Sequence, residues 1–264
     1  MRKKEHFSFL DWFGHWKTDI LRLHSRARGL VKKAGKVLSH GQSLRFHEAL
    51  IKKGDLVFDI GANVGDMTAL YLELGARVVS VEPQEACLRI LEKRFGRNPG
   101  VCITPMAVGA FEGEKELMIS DIRSPISSMS RQWIAAVKSS GRFPYYEWSR
   151  SVTVPVTTLE SLIVRHGEPD FCKIDVEGLE KEVLQGVSRP LVSLSLEYHA
   201  EFLPEAIACL GLLRELGDYR FNYTMENRTV FESPHWMDEE EICSQLGLLP
   251  FSSLQGDVYA RLNG

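Results

Sequence analysis

Two groups of residues in this chain have types and spacings suited to chemistry. The first is the glycine-rich stretch "DLVFDIGANVGDMT", residues 55–68, in which an apolar run meets Asp59 and then Gly61, Asn63 and Gly65. Glycines there let the backbone turn sharply and approach a ligand closely. The free N–H groups of a helix starting after Gly65 suit a polar or anionic group. Glu82 follows 21 residues after Gly61, about the distance at which an acid receives hydrogen bonds from a ribose diol. The second group is Asp175, Glu177, Glu197 and His199 in "KIDVEG" and "LEYH". Paired carboxylates and an imidazole can take a proton from a hydroxyl.

A nucleoside-containing ligand is therefore expected at the first turn. The dinucleotide fingerprint G-x-G-x-x-G is not met, since Asn63 stands where the middle glycine would let the backbone approach a pyrophosphate. The P-loop ending G-K-[ST] is also missing. An acid-x-Gly-x-x-x-Gly arrangement fits S-adenosylmethionine, which carries a ribose and an adenine but no phosphate. The competing readings are a glycine turn that only shapes the strand-to-helix junction, a nucleoside-binding scaffold without catalysis, and an NAD-dependent oxidoreductase.

Transfer from a sulfonium to a hydroxyl needs an oxygen aligned with the methyl group and an acceptor for its proton. His199 is the expected base, because its ordinary pKa lies near neutrality. Asp175 or Glu197 would fix its tautomer or orient the hydroxyl. Each also has a structural reading: Asp175 as a helix cap, Glu177 as a solvated edge, His199 as a satisfied core histidine. Mg²⁺ held by Asp175 and Glu197 is the weaker option, because the sequence shows no third ligand.

The elements that must position these residues follow from the pattern. From residue 54, apolar strands alternate with helices: 56–60, helix 66–74, 77–83, helix 85–95, 101–109. Segments 114–120 and 151–163 bracket a less regular insertion, 121–150; a strand running into a turn is expected at 170–178 and another strand at 190–200, with helices at 179–184 and 204–216. "YRFNYTM" and "DVYARL" form a terminal strand pair. Such alternation predicts an α/β fold with a mostly parallel sheet and helices on both faces. Ligands then sit beyond the carboxyl ends of the strands.

Charge and composition bound the rest. Of the 264 residues 44% are hydrophobic and 25% charged, ordinary for a globular chain. Residues 1–53 hold 13 Lys and Arg against 4 Asp and Glu, whereas the remainder holds 19 against 31. A separate basic, amphipathic helical extension is therefore expected over 1–45. Residues 7–38 carry Phe9, Trp12, Phe13, Trp16, Ile20, Leu23, Leu30 and Val31 at helical spacing. That face would pack on the main domain, and it would also suit peripheral contact with a membrane surface. No stacking pattern points to nucleic acid. The five cysteines are scattered with no C-x-x-C pair, which argues for reduced thiols. Asp11 and His15 interrupt the apolar start and no cleavage signal follows, so a cytoplasmic protein is expected.

"FDIGANVGDMT", "VVSVEP", "AVG" followed by "EGEKEL", "VPVTTLESL", "DFCKIDVEGLEKEVLQG" and "LSLEYH" occur in this order over residues 46–222. In these segments the chain resembles the FkbM-type methyltransferases. The resemblance implies a class I methyltransferase, Rossmann-like fold with seven strands, occupying 46–264. It implies S-adenosylmethionine as donor and O-methylation of a small-molecule or glycan acceptor, commonly a sugar hydroxyl in a glycolipid or natural product. Carried over by motif, Asp59, Gly61, Asn63 and Gly65 line the methionine and ribose side, and Glu82 holds the ribose. Met106 and Ala107 lie by the adenine. Residues 121–150, with Trp133, Phe143, Tyr145, Tyr146 and Trp148 among arginines, match nothing in the family pattern and suit a substrate lid.

Overall fold

The computed structural model describes residues 39–120, 127–141, 146–226, 228–249 and 255–263. The expected amphipathic segment 7–38, and 121–126 and 142–145 of the expected lid, lie outside the described residues. One compact unit spans Phe46–Gly264. Among the described residues no helix is long and apolar enough to cross a membrane.

The alternation of strand and helix follows the sequence closely. Strand β1 (Leu56–Ile60) leads into α1 (Asp66–Glu73), β2 (Arg77–Val81) and α2 (Glu85–Phe95). Then come β3 (Val101–Thr104), β4 (Ala107–Val108) and β5 (Gly113–Ile119). Helix α3 (Arg131–Ser140) precedes β6 (Arg150–Thr157), α4 (Leu159–His166), β7 (Phe171–Ile174) and α5 (Glu180–Gln185). The chain closes with β8 (Ser193–His199), a 3₁₀ turn, α6 (Leu203–Leu216), β9 (Tyr219–Tyr223), α7 (Glu239–Leu248) and β10 (Gln255–Leu262).

Seven strands form the main sheet in the order β3-β2-β1-β7-β8-β10-β9. The first five run parallel, and β10 enters antiparallel between β8 and β9. Every residue of β1 and β7 is buried, as in a sheet covered on both faces. Leu56, Phe58 and Ile60 join Cys172, Ile174, Leu194 and Leu196 in one large core cluster. The alternate residues face the other way, where Tyr71 of α1 packs edge-on against Phe171.

The structure departs from or refines the sequence reading in three places. The expected strand 101–109 is broken at Pro105, which has no N–H to continue a ladder. Its second half, β4, leaves the main sheet and joins β6 and β5 in a small three-stranded sheet. Segment 151–163 divides between β6 and the start of α4, because Thr158 caps α4 by accepting from Ser161 N–H. The terminal strands do pair, as expected, but α7 separates them in sequence. That helix opens with a capping box between Asp238 and Glu241.

Tyr219 pins the last crossover. Its buried hydroxyl donates to Leu191 C=O at 2.8 Å and accepts from Leu191 N–H at 2.7 Å. Tyr219→Phe leaves both main-chain groups buried without a partner, and the expected cost is about 1–3 kcal/mol. Denaturant unfolding of the two proteins checks this. Equal midpoints would mean that water replaces the hydroxyl.

Candidate active site

The turn after β1 is built on left-handed backbone. Gly61 and Gly65 have φ of 83° and 82°, and Asn63, a residue that tolerates this region, has φ 49°. A Cβ on Gly61 would lie 1.8 Å from the carbonyl oxygen of Asp175, so only glycine lets the β1 and β7 ends approach this closely. The N–H groups of Gly61 and Ala62 both donate to Val81 C=O.

Glu82 ties this turn to the next one. One carboxylate oxygen accepts from Asn63 N–H at 2.9 Å and the other from Gln84 N–H at 2.8 Å. Its carboxyl is pushed up to about 7 by burial, against the pull of these two N–H groups, with Asp59 adding to the rise. The Cys87 thiol, raised to about 12 by burial and by Glu82, stays neutral beside it. Each oxygen keeps a second lone pair for a hydroxyl donor.

Asp59 lies deeper, 1% exposed. It accepts from the Thr68 hydroxyl at 2.6 Å, and Thr68 also meets Ser80 at 2.9 Å. Burial raises its carboxyl, and Lys173 opposes that rise. Asp59 thus holds α1 against β1 and β2 as well as facing the cavity.

Two adjoining cavities meet at this edge of the sheet. The narrow one, about 100 Å³, lies between Glu82, Gln84, Met106, Ala107 and Val108 on one side and Asp175–Glu177 on the other. The wide one, about 1120 Å³, extends past Asn63, Ile90, Arg150, Lys173 and Asp175. Gly61, Asn63, Gln84 and Asp175 line both. Met106 and Ala107 line the narrow cavity together with Glu82, and Asp59, Gly61, Asn63 and Glu82 converge on one region. Gly65 does not line either cavity. It starts α1, where a Cβ would strike Leu91 and Phe95 at 2.6 Å.

At the far side β7 and β8 bring four acid–base groups together. Lys173, in mid-strand and nearly buried, pairs with Asp175 at 2.5 Å. Burial acts to raise the Asp175 carboxyl, but the Lys173 charge, hydrogen bonds from Glu197 and Lys173, and the nearby His199 together outweigh it and hold the group below the usual carboxylate range. Glu197 donates a hydrogen bond to Asp175, and burial and Asp175 raise the Glu197 carboxyl well above its ordinary value. His199 Nε2 lies 3.0 Å from Glu197 Oε2 and 3.7 Å from Glu177 Oε2. Among the described residues none of those three buried atoms has a hydrogen-bond partner. Leaving a buried polar atom unpaired costs about 1–3 kcal/mol.

The sequence reading expected His199 as the base that meets the acceptor hydroxyl. The structure places it one layer behind, 8% exposed, with Trp133 edge-on at 5.7 Å. Asp175 and Glu177 are the members that reach the cavities. Trp133 is also not free for a sugar: it is fully buried and packs on Gly178 so tightly that a Cβ there would sit 2.5 Å away. Lys173 was missed, although a lysine between Cys172 and Ile174 in an apolar strand is a signal for a buried ion pair.

The methyltransferase FkbM domain model matches residues 59–221. The hexuronic acid methyltransferase AglP of Haloferax volcanii is 27% identical over 165 residues, 60% of this chain and 62% of that protein. The chain thus spans about three fifths of the length of that curated relative. Among solved structures, a precorrin-6y C5,15-methyltransferase from Geobacter metallireducens aligns over 84% of this chain and 86% of its own, at 11% identity and a TM-score of 0.46. A TehB-like SAM-dependent methyltransferase from Corynebacterium glutamicum aligns over 90% and 98%, at 10% identity and a TM-score of 0.43. Residues 59–221 run from the acid before the glycine turn through β7, β8 and into β9, and so take in every residue of the site described above; the chain belongs to the methyltransferase FkbM family.

Proposed function

We propose that the protein is an S-adenosylmethionine-dependent O-methyltransferase acting on a hydroxyl of a carbohydrate-containing acceptor. The observation that carries the reading is the buried Glu82 carboxylate, held by the N–H groups of Asn63 and Gln84 at the mouth of a slot floored by Met106–Val108. Such a carboxylate has lone pairs for two ribose hydroxyls, and the neighbouring apolar walls of Ile60, Val81, Met106 and Val108 suit a purine. Among the described residues none that lines the slot is cationic, which agrees with a nucleoside lacking phosphate. The FkbM family match and the hexuronic acid specificity named for the relative support the donor and the acceptor class.

When bound, the sulfonium supplies the methyl group, its carbon–sulfur bond breaking as the carbon–oxygen bond forms. The chain has to align the hydroxyl and receive its proton. Asp175 lines both cavities, so it stands where the narrow slot opens into the wide one. Lys173 keeps it ionised. An ionised carboxylate of low basicity suffices, because the oxygen becomes strongly acidic once it bonds to carbon. The proton passes from that oxygen to the Asp175 carboxylate, and a methyl ether and a neutral thioether are left. Glu197 and His199 set the surroundings of Asp175 from behind. Arg150, on the wide cavity, suits the carboxylate of an acidic sugar.

Incubating the full chain with S-adenosylmethionine carrying a labelled methyl group and uronic-acid oligosaccharides is expected to give a labelled methyl ether. Absence of transfer to any sugar hydroxyl would set the acceptor class aside. Asp175→Asn should lower kcat by about 10²–10⁴-fold while S-adenosylhomocysteine affinity stays nearly unchanged. Parent-level turnover would remove Asp175 as the proton acceptor.

The Glu82 carboxyl gives a pH dependence with a definite sign. Its folded-state value, about 7, lies above the ordinary 4.5, so folding favours the protonated form. The stability it contributes is full below the ordinary value and is lost as pH rises through about 7. Ribose hydroxyls donate to the ionised form. Affinity for S-adenosylhomocysteine should therefore weaken as pH falls below about 7, by up to about tenfold per unit. Glu82→Gln should flatten that profile and weaken binding at neutral pH by about 1.5–3 kcal/mol. Calorimetry across this range checks both, and a flat parent profile would place the ribose elsewhere.

A further inference from the structure

Glu177, Glu197 and His199 offer three ligand atoms that all lie within 4.8 Å of one another. We infer that they form a binding site for a divalent transition-metal ion behind the narrow cavity, which Glu177 lines beside Asp175. The two carboxylate oxygens and the imidazole nitrogen are buried, lie close to one another, and make no hydrogen bond among the described residues. His199 is more than nine-tenths buried, so water from the bulk does not reach its Nε2. Buried polar atoms without partners are exceptions in folded proteins, and an ion is one of the few things that satisfies three at once.

The spacing fits an ion. Bonds of about 2.1 Å place neighbouring ligands about 3.0–3.4 Å apart in octahedral or tetrahedral geometry. From His199 Nε2, Glu197 Oε2 at 3.0 Å lies inside that range, and Glu177 Oε2 at 3.7 Å must move in by a few tenths of an ångström. Charge agrees as well. Glu177, Glu197 and Asp175 are three acids within one cluster, and Lys173 is engaged by Asp175.

The fold holds the three ligands in place. Glu197 and His199 are two apart on β8 and so share a face of the strand. Glu177 takes a left-handed backbone, φ 55°, that is costly for a residue with a side chain. The Ser128 hydroxyl donates to its carbonyl at 2.6 Å, and Trp133 packs on the following Gly178. Trp133 also lies against the His199 ring. Strain held at one ligand and aromatic packing at another are what a preformed site requires.

The donor set favours certain ions. Carboxylates suit Mg²⁺, Ca²⁺ and Mn²⁺, whereas imidazole suits Zn²⁺ and its neighbours. Mixed oxygen and nitrogen ligation thus favours Mn²⁺ or Zn²⁺ over Mg²⁺, with Zn²⁺ the tighter. Glu177 lines the cavity next to Asp175. An ion there would withdraw charge from an acceptor hydroxyl and ease its loss of a proton to Asp175. That consequence rests on the proposed methyl transfer, whereas the binding of the ion does not.

The test uses the full chain after removal of metal with a chelator. Mn²⁺ titration followed by electron paramagnetic resonance, and Zn²⁺ titration by calorimetry, should each show one saturable site, with Mg²⁺ binding more weakly. Glu197→Gln, which keeps the side chain's shape, and His199→Ala should each raise the Mn²⁺ Kd at least tenfold. Thermal melting of each variant establishes that it is folded. Glu116→Gln, on the exposed β5, should bind as the parent does. A parent protein that binds neither ion stoichiometrically, or folded variants that keep the parent Kd, would overturn the site. Calorimetry with S-adenosylhomocysteine is run on the same samples. Metal binding without it leaves the site standing while the methyl-transfer reading falls, and the reverse result removes the site alone.

Discussion

The site depends on one interaction: the Glu82 carboxylate accepting the main-chain N–H groups of Asn63 and Gln84. It joins the turn after β1 to the turn after β2 and fixes the shape of the edge where a nucleoside can sit. Burying a carboxylate is unfavourable unless its oxygens are bonded. The two N–H groups offset that cost, and the left-handed Asn63 aims one of them. The rise of the Glu82 carboxyl to about 7 shows that the offset is incomplete. A ligand hydroxyl at that point is accordingly favourable.

The rest of the architecture brings a second set of acids to the same edge. Parallel pairing of β1 with β7, and of β7 with β8, aligns their carboxyl ends. Asp175, Glu177, Glu197 and His199 then meet without any of them being close to Glu82 in sequence. Strands β4 and β5 and the segment leading into α3 close the slot from the other side, through Met106–Val108, Leu117 and Ser127–Met129. Lys173 keeps the cluster from carrying only negative charge, and so allows Asp175 to stay ionised in a largely buried place.

Much of this was legible in the sequence. The period of apolar residues and the glycines at 61, 65 and 75 marked β1, α1 and β2, because a buried parallel strand must be apolar throughout and must turn sharply into its helix. That Asp59, Gly61, Asn63 and Glu82 meet at one edge was legible from the same turn pattern, and that Met106 and Ala107 stand beside them from the family pattern. Local signals did not reveal that β4 leaves the main sheet at Pro105, since pairing partners are chosen by tertiary contacts. Nor did they reveal that Trp133 packs inward on Gly178, since an aromatic in an insertion looks the same whether it faces a sugar or the core. The depth of His199 was hidden too. Its place at a strand end was visible, but its cover comes from α3, more than fifty residues away in sequence.

The central claim is that the Glu82 edge holds an adenosyl nucleoside without phosphates. Titration calorimetry of the full chain with S-adenosylhomocysteine and, separately, with NAD tests it most directly. The account predicts saturable one-to-one binding of S-adenosylhomocysteine and no measurable heat with NAD. Saturable binding of NAD with none of S-adenosylhomocysteine would contradict it.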